Sequence, residues 1–273
     1  FVFVVLILSI LPYYRTVYAM ELFSLGNGLQ YVFQQRKDTG VVALQIWVKA
    51  GSKYEDQKIA GITHFIEHLI FKGTEKVKAN EMASRIESLG GVVNAYTSYD
   101  NTVYHIIVPS RAFEEGFELL VDAVRNPAFP EEEIEKERKV VLEEIKMGED
   151  DPQRKLFKEL FSTSYREHPY GRPIIGYEDT VKSINRDEIL NYFKKYYVPD
   201  NMAIVIAGDF DPKTADVLIK KHFYEKSIQS KTTGIDNINK NSFETDEDGK
   251  DSKKKSDVNE NIIERNVKES YLA

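Results

Sequence analysis

The chain contains no cysteine, which excludes a disulfide framework and thiol catalysis. A metal bound here must be held by His, Asp or Glu. Histidine is itself scarce, five in 273 residues, so two of them at ligand spacing stand out. There is no basic excess either: 37 Lys and Arg against 44 Asp and Glu give a net charge of −7. That balance argues against nucleic acid as a partner, because such partners select for basic surfaces. The apolar run from Phe1 to Pro12 is too short for a membrane span of ~20 residues. Its length fits a secretory h-region, and Val17-Tyr18-Ala19 resembles the end of a signal peptide. If residues 1–19 are a signal peptide the protein is exported to the periplasm or secreted; if translation starts at Met20 it stays in the cytoplasm.

What is present is enough to build a core, with 42% hydrophobic residues. Leu22-Phe23, the Asn27-Gly28 turn signal and Leu29 to Phe33 read as a hairpin. Val41 to Val48 alternates as a strand. Val92 to Thr97 and Thr102 to Val108 read as antiparallel strands, and Met202 to Ile206 as a short buried one. Helices are expected over Ala79–Leu89, Arg111–Val124, Pro130–Met147, Pro152–Phe161, Arg186–Tyr197 and Pro212–His222. Strands and helices follow one another without regular βαβ alternation, so the predicted class is α+β, a mostly antiparallel sheet with helices packed on one side.

The chemistry concentrates in Gly61-Ile62-Thr63-His64-Phe65-Ile66-Glu67-His68-Leu69-Ile70-Phe71. On a helix, at ~100° per residue, His64, Glu67 and His68 share one sector, while Ile62, Phe65, Ile66, Leu69 and Ile70 fall opposite. Imidazoles at i and i+4 can both reach a Zn²⁺ ion, and the carboxylate between them can take a proton from water at the metal. The alternative is an amphipathic core helix whose histidines merely fall on the wet side. A third ligand is wanted, and Glu143 and Glu144 compete for the position. Ile134, Val140, Val141, Leu142 and Ile145 define an apolar arc that contains Glu137 and Glu144. Glu143 lies opposite, among Lys136, Lys139 and Lys146, as a solvated ion-pair residue. A carboxylate on a buried face needs a partner, which selects Glu144 as the ligand, the alternative being an ordinary partly buried Glu paired with Arg or Lys; Glu137, two turns earlier on the same face, is expected either next to the metal or behind one of its ligands. His168 beside Pro169 and His105 within a strand read as structural, and Arg111 and Arg138 as surface or pairing residues.

His64-Phe65-Ile66-Glu67-His68, with Glu144 76 positions after His68, resembles the pitrilysin/insulinase family of zinc metallopeptidases, in its mitochondrial-processing-peptidase-like branch. Asn27-Gly28-Leu29, Gly51-Ser52, Phe71-Lys72-Gly73-Thr74, Gly90-Gly91, Asn94-Ala95-Tyr96-Thr97, Glu137-Arg138, Pro169-Tyr170-Gly171 and Ala207-Gly208-Asp209 extend the likeness from about Glu21 to Phe223. The resemblance implies one zinc ion per chain, held by His64, His68 and Glu144. It implies that Glu67 activates water with help from Glu137. It also implies that the strand bearing Asn94, Ala95, Tyr96 and Thr97 pairs edge-on with a peptide substrate; the alternative for that strand is an ordinary sheet edge.

From Glu225 the composition shifts to Lys, Asp, Asn, Ser and Thr, too little apolar surface to fold, so 225–261 is expected to be a disordered linker. Ile262-Ile263 then begins an apolar stretch. The expected organisation is 1–19 signal or apolar segment, 20–224 zinc-peptidase domain, 225–261 linker and 262–273 the start of a second domain. The function this implies is zinc-dependent endopeptidase action on short or unfolded peptides, with a second homologous domain or subunit as partner. A non-catalytic peptide-binding or assembly subunit is the competing class.

Overall fold

The computed structural model describes residues 20–79 and 81–224; the expectations for residues 1–19, 225–261 and 262–273 lie outside them. Strands β1 (Glu21–Ser24) and β2 (Gln30–Gln35) form the expected hairpin, Glu21 opposite Phe33. Its turn depends on Gly28, whose φ of 91° is strained for any L side chain. A Cβ there would also lie 2.6 Å from the Cβ of Asp200. Strands β3 (Val41–Val48), β4 (Val92–Thr97), β5 (Thr102–Pro109) and β6 (Met202–Gly208) complete a six-stranded sheet in the order β1-β2-β6-β3-β5-β4. Every neighbouring pair is antiparallel except β2 and β6, which run parallel with Tyr31 opposite Ile204.

The period of two along each strand sorts the faces. Val42, Leu44, Ile46 and Val48 of β3, Tyr104, Ile106 and Val108 of β5, and Ile204 and Ile206 of β6 are buried in a single core. The helices supply its other half: Phe65, Ile66 and Leu69 of α1 (Ile62–Ile70), Ile86 of α2 (Glu81–Ser88), Phe117, Leu120 and Val124 of α3 (Phe113–Arg125), and Ile134 and Val141 of α4 (Glu131–Asp150). After these come α5 (Pro152–Ser164), α6 (Glu178–Ser183), α7 (Arg186–Tyr196) and α8 (Pro212–Phe223). The opposite sheet face is more polar. There Trp47 donates to Gln45 at 2.9 Å and meets Tyr96 edge-on at 6.4 Å.

Local chemistry sets the helix ends. Three glutamates fill the first turn of α4, where the helix dipole favours them. Asp151 caps α5 by accepting from the Gln153 and Arg154 amides, with Pro152 in the first turn. Asn185 and Glu188 form a reciprocal capping box on α7.

Three expectations are corrected. Residues 110–112 form a 3₁₀ turn before α3 starts at Phe113. Helix α6 was not expected, because six residues carry too little periodicity to be read. Val140 is not part of the buried arc of α4: it is 49% exposed. It lies a further ~40° round the helix from Glu144, away from Ile134 and Val141. Glu137 is buried with Ile134 and Val141, as expected, whereas Glu144 sits at the edge of the apolar stripe with one side open.

Candidate metal centre

Helix α1 presents its faces as the period requires: Ile62, Phe65, Ile66, Leu69 and Ile70 are buried, while His64, Glu67 and His68 line the partly open side. Its N-cap is Gly61 at φ 96°. A Cβ there would fall 2.5 Å from the Ile175 carbonyl oxygen, so a helix entry packed this tightly against that backbone needs glycine. The His64 and His68 rings are 4.7 Å apart. Helix α4 crosses beside them and delivers Glu144, whose Oε2 is 3.7 Å from Nε2 of His64 and 3.7 Å from Nε2 of His68. Among the described residues, these three form the group whose possible ligand atoms all lie within 4.8 Å of one another. Ligand atoms ~2.1 Å from a tetrahedral ion sit roughly 3.4 Å apart, so a small contraction would close this set on Zn²⁺. The donors fit the group: two imidazoles and a carboxylate, no thiolate, and an open side for a fourth ligand.

The nitrogen behind each ring differs. His68 Nδ1 is 3.2 Å from Oε2 of buried Glu137, whose Oε1 is 2.8 Å from Lys72 Nζ. A carboxylate paired with Lys72 can only accept, so the imidazole proton sits on Nδ1 and leaves the Nε2 lone pair facing Glu144. His64 Nδ1 is buried with no hydrogen-bond partner. Burial, then the neighbouring His68, push the His64 pKa down to about 3, which keeps the ring neutral and its lone pair available.

Glu67, on the same face, reaches strand β4. Its Oε2 accepts from Thr97 Oγ1 at 2.5 Å. Burial raises its pKa, opposed by the Thr97 hydrogen bond and the charge of His68, with Glu144 adding to the rise.

The remaining sequence candidates separate clearly. Strand β4 is an edge of the sheet, as expected. Asn94 and Tyr96 are exposed on its outer face, while Ala95 and Thr97 turn toward the helices. Asn94 Oδ1 accepts from the Ala95 amide at 2.8 Å, so that edge donor is engaged by its own neighbour. Glu143 pairs with Lys146 at 2.7 Å on the solvated side. His168 accepts from the Tyr170 amide at 3.2 Å and caps a 3₁₀ turn. His105 faces Tyr96 on the outer face of the sheet, 6.5 Å between rings. Arg138 bonds the Val181 carbonyl and Glu135 and lies over the Phe65 ring. Arg111 reaches toward the Leu89 carbonyl oxygen at 3.5 Å.

One contributor, Lys72, was not singled out as a site residue, and Thr97, expected only at the substrate edge, has a role that was not foreseen. Lys72 sits four residues after His68, on the same side of the chain, and that spacing was a readable signal. The contact of Thr97 with Glu67 spans 30 residues and leaves no local trace.

With this geometry in view, residues 31–178 match the family described as Insulinase (Peptidase family M16). The chain belongs to that family. Residues 183–268 match the Peptidase M16 inactive domain. Within the described residues that second stretch includes α7, β6 and α8, and β6 lies between β2 and β3 of the same sheet. Among M16 relatives, an uncharacterized zinc protease of Bacillus subtilis, YmxG, is 37% identical over 211 residues, 77% of this chain and 51% of the relative. The mitochondrial-processing peptidase subunit beta of Mus musculus is 36% identical over 199 residues, 73% of this chain and 40% of the relative. A protease from Helicobacter pylori superposes with a TM-score of 0.73 at 32% identity, over 83% of this chain and 53% of that one. The first half of the periplasmic protease PqqL from Escherichia coli gives 0.69 at 28%, over 76% and 46%. The chain spans about half the length of the curated relatives it matches.

Proposed function

We propose that this M16 chain is the zinc-bearing half of an endopeptidase that hydrolyses short or unfolded peptides. The observation that carries the reading is the convergence of His64 Nε2, His68 Nε2 and Glu144 Oε2, at 3.7 Å, beside the carboxylate of Glu67. Zinc, when bound, supplies a Lewis acid that polarises a carbonyl and lowers the pKa of water to about 7. The protein's groups do the rest. Glu67, raised in pKa by burial, takes the proton from the attacking water and passes it to the leaving amine. Thr97 holds that carboxylate in place. Glu137, anchored by Lys72, orients the His68 ring and keeps its tautomer. The exposed edge of β4 runs from Thr97 away from this centre, and an extended peptide adding to it would lie beside Glu67, with the Asn94–Ala95 contact exchanged for substrate hydrogen bonds.

The partner in this reading is a second, homologous domain or subunit that completes the substrate cleft, in line with the longer relatives. The test is the zinc content of the purified chain, together with cleavage of an unstructured peptide by wild type and Glu67→Gln in the presence of a second half. One zinc and Glu67-dependent cleavage are expected. A non-catalytic assembly or peptide-binding subunit gives no Glu67 dependence under any condition. Export is proposed on residues 1–19 alone, and cell fractionation checks it: a cytoplasmic product starting at Met20 overturns it.

A further inference from the structure

Helix α1 carries His64, Glu67 and His68 within nine residues, so whatever fixes its first turn fixes three side chains at once. Its N-cap, Gly61, has no side chain to satisfy the first-turn amides. Glu55 does so from outside the helix. Its Oε2 accepts from the Gly61 amide at 2.8 Å and its Oε1 from the Thr63 amide at 2.9 Å. At 5% exposure the side chain is among the few buried charged groups of the described chain. A carboxyl group at a helix N-terminus is well placed for the dipole, and one backbone N–H donor to each of its oxygens defines its orientation.

The segment that carries Glu55 is itself tied down on two sides. The Ser52 and Lys53 amides donate to the Ser98 and Tyr99 carbonyls at 3.2 and 3.0 Å, in the turn that follows β4. Gly51 makes that approach possible, since a Cβ there would lie 2.5 Å from the Tyr99 carbonyl oxygen. From the other side, Arg172 donates to the Ser52 and Glu55 carbonyl oxygens at 3.2 and 2.8 Å. Residues 51–55 thus touch both the start of α1 and the end of the strand whose Thr97 binds Glu67.

We infer that Glu55 is a positioning residue of the metal centre, its buried carboxylate clamping the first turn of α1 so that His64 and Glu67 stay in register with Glu144 and Thr97. This rests on the zinc reading above. The role is distinct from a general contribution to folding, because the contacts run to the metal-bearing helix and to the strand that holds the base.

The experiment is a competition titration with zinc alone on the full chain, comparing wild type with Glu55→Gln, Arg172→Gln and Asp122→Asn. Gln keeps the size of Glu55 but sets an amide NH₂ against one backbone donor. Asp122 is buried and bonded to Thr74 and Asn126, so its variant perturbs a buried polar network outside the metal centre. The expected result is zinc binding weakened about tenfold or more in Glu55→Gln and severalfold in Arg172→Gln, with Asp122→Asn at wild-type affinity. Wild-type affinity in folded Glu55→Gln, or equal weakening in Asp122→Asn, overturns the inference. Should Glu55→Gln fail to fold, Arg172→Gln decides: wild-type zinc affinity there overturns it. A wild-type chain that binds no zinc sinks the metal reading itself, and this inference with it.

Discussion

Helices α1 and α4 meet at one site but are built on opposite terms. Of the nine residues of α1, six are buried, whereas α4 buries three of twenty. Helix α1 is held by the core on one face, so its His64, Glu67 and His68 have little freedom. Helix α4 is mostly solvated and lends the site buried Glu137 and, from the margin of its apolar stripe, Glu144, with 36% of its side chain still open. The contrast teaches a division of labour. In the proposed reading, the buried helix fixes the base and the imidazoles, and the exposed one completes the ligand set while leaving room for substrate.

Breaking the α1 side has the largest expected effect. Glu67→Gln should lower peptide cleavage by about 10²–10⁴-fold, the usual worth of a general base, while zinc stays bound. Steady-state kinetics with metal analysis reads both, and loss of zinc in the variant would mean that Glu67 is a ligand instead. On the α4 side, Glu137→Gln should weaken zinc binding by about 10–100-fold through the His68 ring, with Lys72→Met following in the same direction. Zinc competition measures each, and an unchanged affinity would detach Glu137 from the site.

A finer comparison concerns pH. Glu67 must be ionised to act as a base, so activity should rise with pH through its raised pKa. The Thr97 hydrogen bond lowers that pKa, and Thr97→Val should therefore move the acidic limb of kcat/KM upward. A downward move contradicts the assignment. The smallest expected effect is on the metal-free chain. His64 titrates lower folded than unfolded, so the unfolded chain takes up the proton first and stability falls as pH drops from 6.5 toward 3. Denaturation at pH 6.5 and 5.5 should show about 1 kcal/mol lost by wild type that His64→Leu does not lose.

What could be read in advance follows the reach of each interaction. The face of α1 was legible because 3.6-residue periodicity is local, and Glu144 was separable from Glu143 by the same geometry. Val140 was misplaced because a stripe's margin depends on which neighbours cover it. The insertion of β6 between β2 and β3 rests on pairing between distant segments, which no period encodes. The contact of Thr97 with Glu67, though not Thr97 itself, and that of Glu55 with Gly61 and Thr63 were invisible for the same reason. Each is a polar residue that looks ordinary until the chain returns to it.

The most direct measurement is X-ray diffraction at the zinc absorption edge from the zinc-loaded chain, paired with zinc binding by Glu144→Ala. One ion bonded to Nε2 of His64, Nε2 of His68 and an oxygen of Glu144 is the expected result, with affinity collapsing in the variant. An ion held by the histidines alone, with Glu144→Ala binding as wild type does, would contradict the account.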